Sequence, residues 1–190
     1  MEMRMKKLTM TAGLALLSIL QGACADRQEV TSPISSKARA SLDAAVSNDR
    51  VVSIFDMCDG PSFNDAGFSC TRTAGVTVDQ LIAELKLRQT ADAWHFAASN
   101  VNVFAGQTLD VVNRGGETHT FTEVKKFGGG QFGFLNDLSG NPVEAPECVD
   151  AKFIPAGATQ HETIDEEGDE LYQCCIHPWM RVVVHASHHV

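Results

Sequence analysis

The chain is short of positive charge. Its 190 residues carry 15 Lys and Arg against 24 Asp and Glu, a formal charge of -9 at pH 7. Nucleic-acid binding draws most of its affinity from phosphates neutralised by cationic side chains, so this balance disfavours a nucleic-acid partner and suits basic protein partners. Long apolar runs are missing too. The one sustained apolar stretch, residues 8–20, is shorter than the ~20 residues a bilayer-spanning helix needs. There is no internal repeat. Several motifs are present only in part. His161-Glu162 lacks the second histidine of a helical zinc-protease motif, and Gly128 to Gly133 fits G-x-G-x-x-G by letter without a following βαβ helix, so it reads as a flexible loop. No histidine cluster precedes the C-terminal tail, where His185, His188 and His189 read as solvated residues.

What is present begins with an export signal. Arg4, Lys6 and Lys7 precede the apolar stretch, and the small residues Ala23 and Ala25 fit cleavage after Ala25, which gives residues 1–25 as a signal peptide. Gly22-Ala23-Cys24 also resembles the end of a lipoprotein signal, which would make Cys24 a lipid anchor. Both readings imply export to the periplasm or cell envelope. Cleavage after Ala25 removes one acid and three bases, leaving the remainder near -11.

Cysteine usage sharpens this. Beyond Cys24, five cysteines remain: Cys58, Cys70, Cys148, Cys174 and Cys175. An odd count in an oxidising compartment implies two disulfides and one thiol with a separate task.

Residues 26–93 read as a linker and extension with a candidate first strand. Their early part is Ser-, Ala- and charge-rich, with a short helix near residues 37–46. A β-branched and aromatic run at 51–57 leads into a turn-rich loop from Cys58 to Cys70, which a disulfide between those two would staple. In 77–89, Thr77 and Gln80 form a capping-box pattern and Leu81, Ile82 and Leu85 a helical face, yet Leu85 and Leu87 alternate with charged residues. The expectation is a short helix running into a strand. Residues 94–190 form the main domain, with short β segments expected at 94–97, 101–104, 108–113, 119–124, 152–154, 160–164, 170–174 and 181–186. Such strands predict an all-β sandwich or barrel. A Gly- and Pro-containing loop is expected over 127–147.

The chemistry concentrates in Tyr172-Gln173-Cys174-Cys175-Ile176-His177-Pro178-Trp179-Met180, between two expected strands. A thiolate, an imidazole and a thioether lie within seven residues. Adding His119, which follows the Gly115-Gly116 turn, completes a His2Cys set with a weak axial Met, the donor set of blue copper. Sulfur suits Cu(I) and imidazole serves both oxidation states. A loop held by strands on both sides and stiffened by Pro178 limits rearrangement between them.

At these residues the chain resembles the cupredoxins, and the Cys174, His177, Met180 spacing is similar to that of amicyanin-type and plastocyanin-like members. The resemblance covers about 94–186. It includes the strand pair 101–113 leading to His119-Thr120-Phe121, and the turn Phe153-Ile154-Pro155-Ala156-Gly157. It implies a Greek-key β-sandwich with a short-helix-containing N-terminal extension, and one copper per chain. His119, Cys174 and His177 would be strong ligands and Met180 an axial one. Thr120 would steady the ligand loop or the thiolate, and Pro178 and Trp179 would ring an exposed edge of His177. Cys175 departs from the family pattern. Pairing it with Cys148 keeps a second thiol from the metal and leaves Cys174 as the odd cysteine.

The implied function is a monomeric electron carrier working with redox protein partners such as basic, cytochrome-like proteins, and not an enzyme. Oxidase or reductase relatives need further copper centres. The alternative is a copper chaperone or storage protein, for which a Met- or His-rich open surface would be expected.

Overall fold

A computed structural model describes residues 50–188; the expected signal, Cys24, the helix near 37–46 and His189 lie outside the described residues. Ten strands form two four-stranded sheets and one short pair. The first sheet has the order β2-β1-β4-β8, from His95–Ala97, Val51–Phe55, Gln107–Asn113 and Thr159–Ile164. The second has the order β3-β10-β9-β6, from Asn100–Phe104, Arg181–Ser187, Gly168–Gln173 and Thr122–Val124. The remaining pair joins β5, His119–Thr120, to β7, Phe153–Ile154.

Alternation explains why these segments face each other. In β1 the pattern buries Val52 and Ile54, in β4 Leu109 and Val111, in β3 Val101 and Val103, and in β10 Val182 and Val184. All eight lie in one apolar cluster, so each sheet presents one face to a shared core, as the period of two in a strand requires. The chain crosses between the two sheets from β2 to β3, from β3 to β4 and from β8 to β9, and β1 pairs parallel with β4 and β3 with β10 while the other pairs are antiparallel. The all-β sandwich expected from sequence is the observed architecture.

Local predictions differ from the structure in three places. The Cys58 to Cys70 loop contains a helix, α1, Gly60–Asp65. Asp59 caps it by accepting from the Ser62 N–H at 3.0 Å, and Pro61 sits in the first turn where a missing N–H costs nothing. Residues 77–89 form no strand. Val78–Arg88 is a continuous helix, α2, opened by the expected capping box of Thr77 and Gln80 and closed by Gln89 in the left-handed region. Leu81 and Leu85, four apart, are buried, whereas Leu87 is 83% exposed. The Leu85/Leu87 alternation was therefore a surface accident on a helix. In the excursion over 127–147, expected to be a flexible loop, Gly133–Leu138 forms helix α3. Asn136 anchors it by accepting from the Gly130 N–H at 2.7 Å and donating to the Gly130 carbonyl at 2.8 Å.

The segment before Trp94 shares the sandwich core. Phe63 of α1 and Leu81 and Leu85 of α2 belong to the same buried cluster as Trp94, Cys174 and Met180. Disulfides join Cys58 to Cys70 and Cys148 to Cys175, leaving Cys174 free and buried. Cys175 and Cys148 lie with Val124 and Ala145 in a second, smaller cluster, so the adjacent cysteines 174 and 175 belong to different apolar clusters.

Two measurements check this fold. Leu85→Ala should destabilise the protein by about 2–5 kcal/mol, and Leu87→Ala should change stability by less than about 0.5 kcal/mol in a denaturant titration; equal effects would contradict the helix. The second uses Tyr172, the chain's one tyrosine. Burial, the 2.7 Å hydrogen bond to Glu170 and the neighbouring acids push its hydroxyl well above the usual value. The neutral phenol therefore adds stability that is fully present below the unfolded pKa of about 10 and is lost as pH rises beyond it. In an alkaline titration, tyrosinate absorbance should appear only together with the tryptophan fluorescence change of unfolding. A separate, earlier tyrosinate step would refute the buried contact.

Candidate metal centre

The end of β9 and the start of β10 bracket a tight loop that carries Cys174, His177 and Met180. The Cys174 N–H donates to the Met180 carbonyl at 3.0 Å and the Met180 N–H to the His177 carbonyl at 2.9 Å, closing the loop across its base. His119 opens β5, where pairing with Ile154 of β7 fixes its backbone. Asn113, at the end of β4, ties these pieces together. Its side-chain amide donates to the carbonyls of Glu117 and Ile154, both at 2.8 Å, and its carbonyl oxygen accepts from the Gly115 N–H at 2.9 Å.

The loop and β5 bring three donor atoms to one point. Cys174 Sγ lies 3.7 Å from His119 Nδ1 and 3.7 Å from His177 Nδ1, and the two Nδ1 atoms are 3.2 Å apart. His119 and Cys174 have no exposure and His177 has 2%. A trigonal plane built on bonds of ~2.0 Å to imidazole nitrogen and ~2.3 Å to thiolate sulfur has edges of about 3.5 Å and 3.7 Å. The observed triangle fits one metal ion without rearrangement of the fold. Met180, the fourth expected residue, is 1% exposed and packs in the same cluster as Cys174.

Around this triangle lies a ring of fixed polar contacts. The Thr120 N–H points at Cys174 Sγ at 3.4 Å, and the Thr120 hydroxyl accepts from the Cys175 N–H at 2.7 Å, so Thr120 steadies both thiolate and loop. Each imidazole turns its outer nitrogen toward a carboxylate. His119 Nε2 is 2.9 Å from Asp56 Oδ2, and His177 Nε2 is 3.6 Å from Glu117 Oε2. Trp94 Nε1 donates to that same Glu117 oxygen at 2.6 Å. Asp56 also accepts the backbone N–H groups of Cys58 at 3.2 Å, Gly116 at 3.0 Å and Glu117 at 3.0 Å. Gly115 must be glycine, because a Cβ there would overlap the Asp56 carboxylate.

These contacts set the charges of the metal-free site. Burial would raise the Asp56 carboxyl, but the bonds from His119, Glu117 and Gly116 outweigh it and hold the group well below the usual carboxylate range. Burial would lower His119, but Asp56 and Cys174 raise it to about 9. Burial would likewise raise the Cys174 thiol, yet hydrogen bonds and positive charge from His119 and His177 bring it well below its usual value. Burial raises Glu117 against the opposing pull of His177 and Trp94.

Sequence reasoning missed Asp56, Glu117 and Trp94. It also expected an exposed edge on His177. That ring is covered: Trp179 meets it edge-on at 5.3 Å, and Trp94 lies 6.5 Å away on another side. A recess of about 70 Å³ beside it is lined by Phe63, Phe68, Leu81, Phe132, Glu117 and His177 among others. Much of the recess lining comes from the three helices, through Phe63, Val78, Leu81, Ile82, Phe134 and Leu135.

No protein-family model matches the chain, and no curated protein matches it. The solved structures it resembles are cupredoxins. A purple cupredoxin from Nitrosopumilus maritimus is 18% identical over 51% of this chain and 86% of its own, with a TM-score of 0.39. Amicyanin from Paracoccus versutus is 22% identical over 49% and 73% of the two chains, with a TM-score of 0.35. A reduced amicyanin variant is 21% identical over 51% and 76%, with a TM-score of 0.36.

The charge pattern makes a prediction for the metal-free protein. Thiolate ultraviolet absorbance should persist as pH falls well below 8.5, the ordinary cysteine value, and in His119→Ala it should be lost at a higher pH than in the unsubstituted protein. Loss of the absorbance near pH 8.5 in the unsubstituted protein would contradict the imidazole contacts.

Proposed function

We propose that this protein is an exported one-copper electron carrier, with His119, Cys174 and His177 as the strong ligands and Met180 as the weak axial one. The observation that carries this reading is the buried triangle of two imidazole nitrogens and one sulfur, whose edges match a trigonal metal plane. Copper held there would supply reversible one-electron exchange between Cu(I) and Cu(II).

The chain's own residues serve that role by staying still. Cys174 and Met180 are joined through their backbones, Thr120 bridges to the Cys175 N–H, and Asn113 locks the His119 side. Dry surroundings keep water off the sulfur and both inner nitrogens. A donor set that neither shifts nor gains a ligand costs little reorganisation when the metal changes charge. The exposed aromatic rings of Phe68, Phe132 and Phe134 border the recess beside His177 and offer a patch for brief docking. The acidic balance favours basic redox partners. Two formed disulfides suit the periplasm or cell envelope, where cleavage after Ala25 or lipidation at Cys24 would place the chain.

The test is the visible spectrum of the protein with one equivalent of Cu(II), before and after ascorbate. An intense thiolate band that bleaches and returns is expected. Cys174→Ser should abolish it, while Met180→Leu should keep the copper and shift its reduction potential. Colour retained in the Cys174 variant would overturn the ligand assignment. Copper surrendered readily to a mild chelator would instead favour a chaperone or store, a result that the full burial of the three donors argues against.

A further inference from the structure

Asp56 is a carboxylate with no side-chain exposure, set behind one of the two imidazoles. Four donors converge on it, and they divide between its oxygens: Cys58 and Gly116 N–H on Oδ1, Glu117 N–H and His119 Nε2 on Oδ2. An asparagine of the same shape would turn its NH2 against two of those donors, so the pocket is built for a group that accepts on both sides and carries a full negative charge. Its placement comes from the segment ahead of Trp94. The parallel register of β1 with β4 sets Ile54 beside Asn113, which brings the next turn of chain against the 114–118 loop, and the Cys58–Cys70 disulfide fixes the following residues.

We propose that Asp56 is a positioning residue that sets the redox balance of the metal centre: it holds His119 in the tautomer that leaves Nδ1 free and, through its charge, favours the oxidised ion over the reduced one. The inference rests on the one-copper reading above. A carboxylate on the outer nitrogen of a ligand imidazole strengthens it as a donor, and removal of such a partner typically costs about 10–100-fold in metal affinity. In a dry interior the added negative charge is poorly screened, and it stabilises a dipositive ion more than a monopositive one. Glu117 acts on His177 in the same sense and more weakly, because its contact is 3.6 Å against 2.9 Å and its oxygen already accepts from Trp94.

The experiment compares the copper-loaded full chain with its Asp56→Asn and Glu117→Gln variants by redox titration of the visible band. Asp56→Asn should keep the band while the ratio of Cu(II) to Cu(I) affinity falls at least tenfold, a rise of about 59 mV for a one-electron couple. Glu117→Gln should move the potential less. A residue needed only for folding would lower yield or copper content and leave the potential of the bound copper where it was. An unchanged potential in Asp56→Asn, or a larger shift in Glu117→Gln, overturns the proposal and leaves the carrier reading standing. A wild-type protein with no thiolate band overturns both. Should Asp56→Asn fail to fold, nitrogen and proton NMR of the wild-type Cu(I) form decides. A low-field, slowly exchanging proton on His119 Nε2 supports the carboxylate bond, and its absence refutes it.

Discussion

A thiol, two imidazoles and two carboxylates share one buried end of this sandwich, and none of them tolerates desolvation alone. An isolated ion in such a place costs several kcal/mol. The arrangement is tenable because every member faces a partner: thiolate to imidazole, imidazole to carboxylate, carboxylate to backbone N–H or indole. Much of the local architecture follows from that requirement. The turn after Asn113 points the Gly116 and Glu117 N–H groups at Asp56, the Asn113 side chain accepts the Gly115 N–H, and the helices outside the sheets cover what would otherwise be a wet edge.

The same contacts link the members of the site to one another. Cys174 Sγ lies 3.7 Å from each of the two Nδ1 atoms, and the outer nitrogens face Asp56 and Glu117, so thiol, imidazoles and carboxylates form one connected chain of contacts. Three apolar anchors from separate elements, Phe63, Leu85 and Trp94, pack in the same cluster as Cys174 and Met180. Distortion of the donor triangle would therefore disturb the core, and close-packed interiors resist small displacements.

How much of this was legible depended on distance along the chain. Cys174, His177 and Met180 share one short loop, so their spacing alone marked them as a group, and His119 could be joined to them because a turn and a strand signal surrounded it. The run of short β segments from residue 94 onward marked the sandwich. Asp56 escaped notice because 63 residues separate it from His119, and only the parallel pairing of β1 with β4 brings them together. Parallel contacts leave no turn signal between the paired strands. The helix at 78–88 was half read, since one exposed leucine imitated a strand; α3 is anchored by Asn136 bonding back to Gly130, a side-chain contact with no periodic trace.

The adjacent cysteines carry one more consequence. Cys174 belongs to the apolar cluster at the site, and Cys175 to the smaller one where it meets Cys148. Successive side chains along an extended chain leave in opposite directions, so a single backbone path sorts the two sulfurs. Oxidative folding must respect that sorting. If Cys148 took Cys174 as its partner, the product would still hold a bond of the same kind closing a loop of almost the same length, yet the thiol between the imidazoles would be consumed and its neighbour left free. Correct disulfide choice thus decides which sulfur lies between the two imidazoles: isomers of nearly equal covalent cost differ in whether that buried position holds a free thiol.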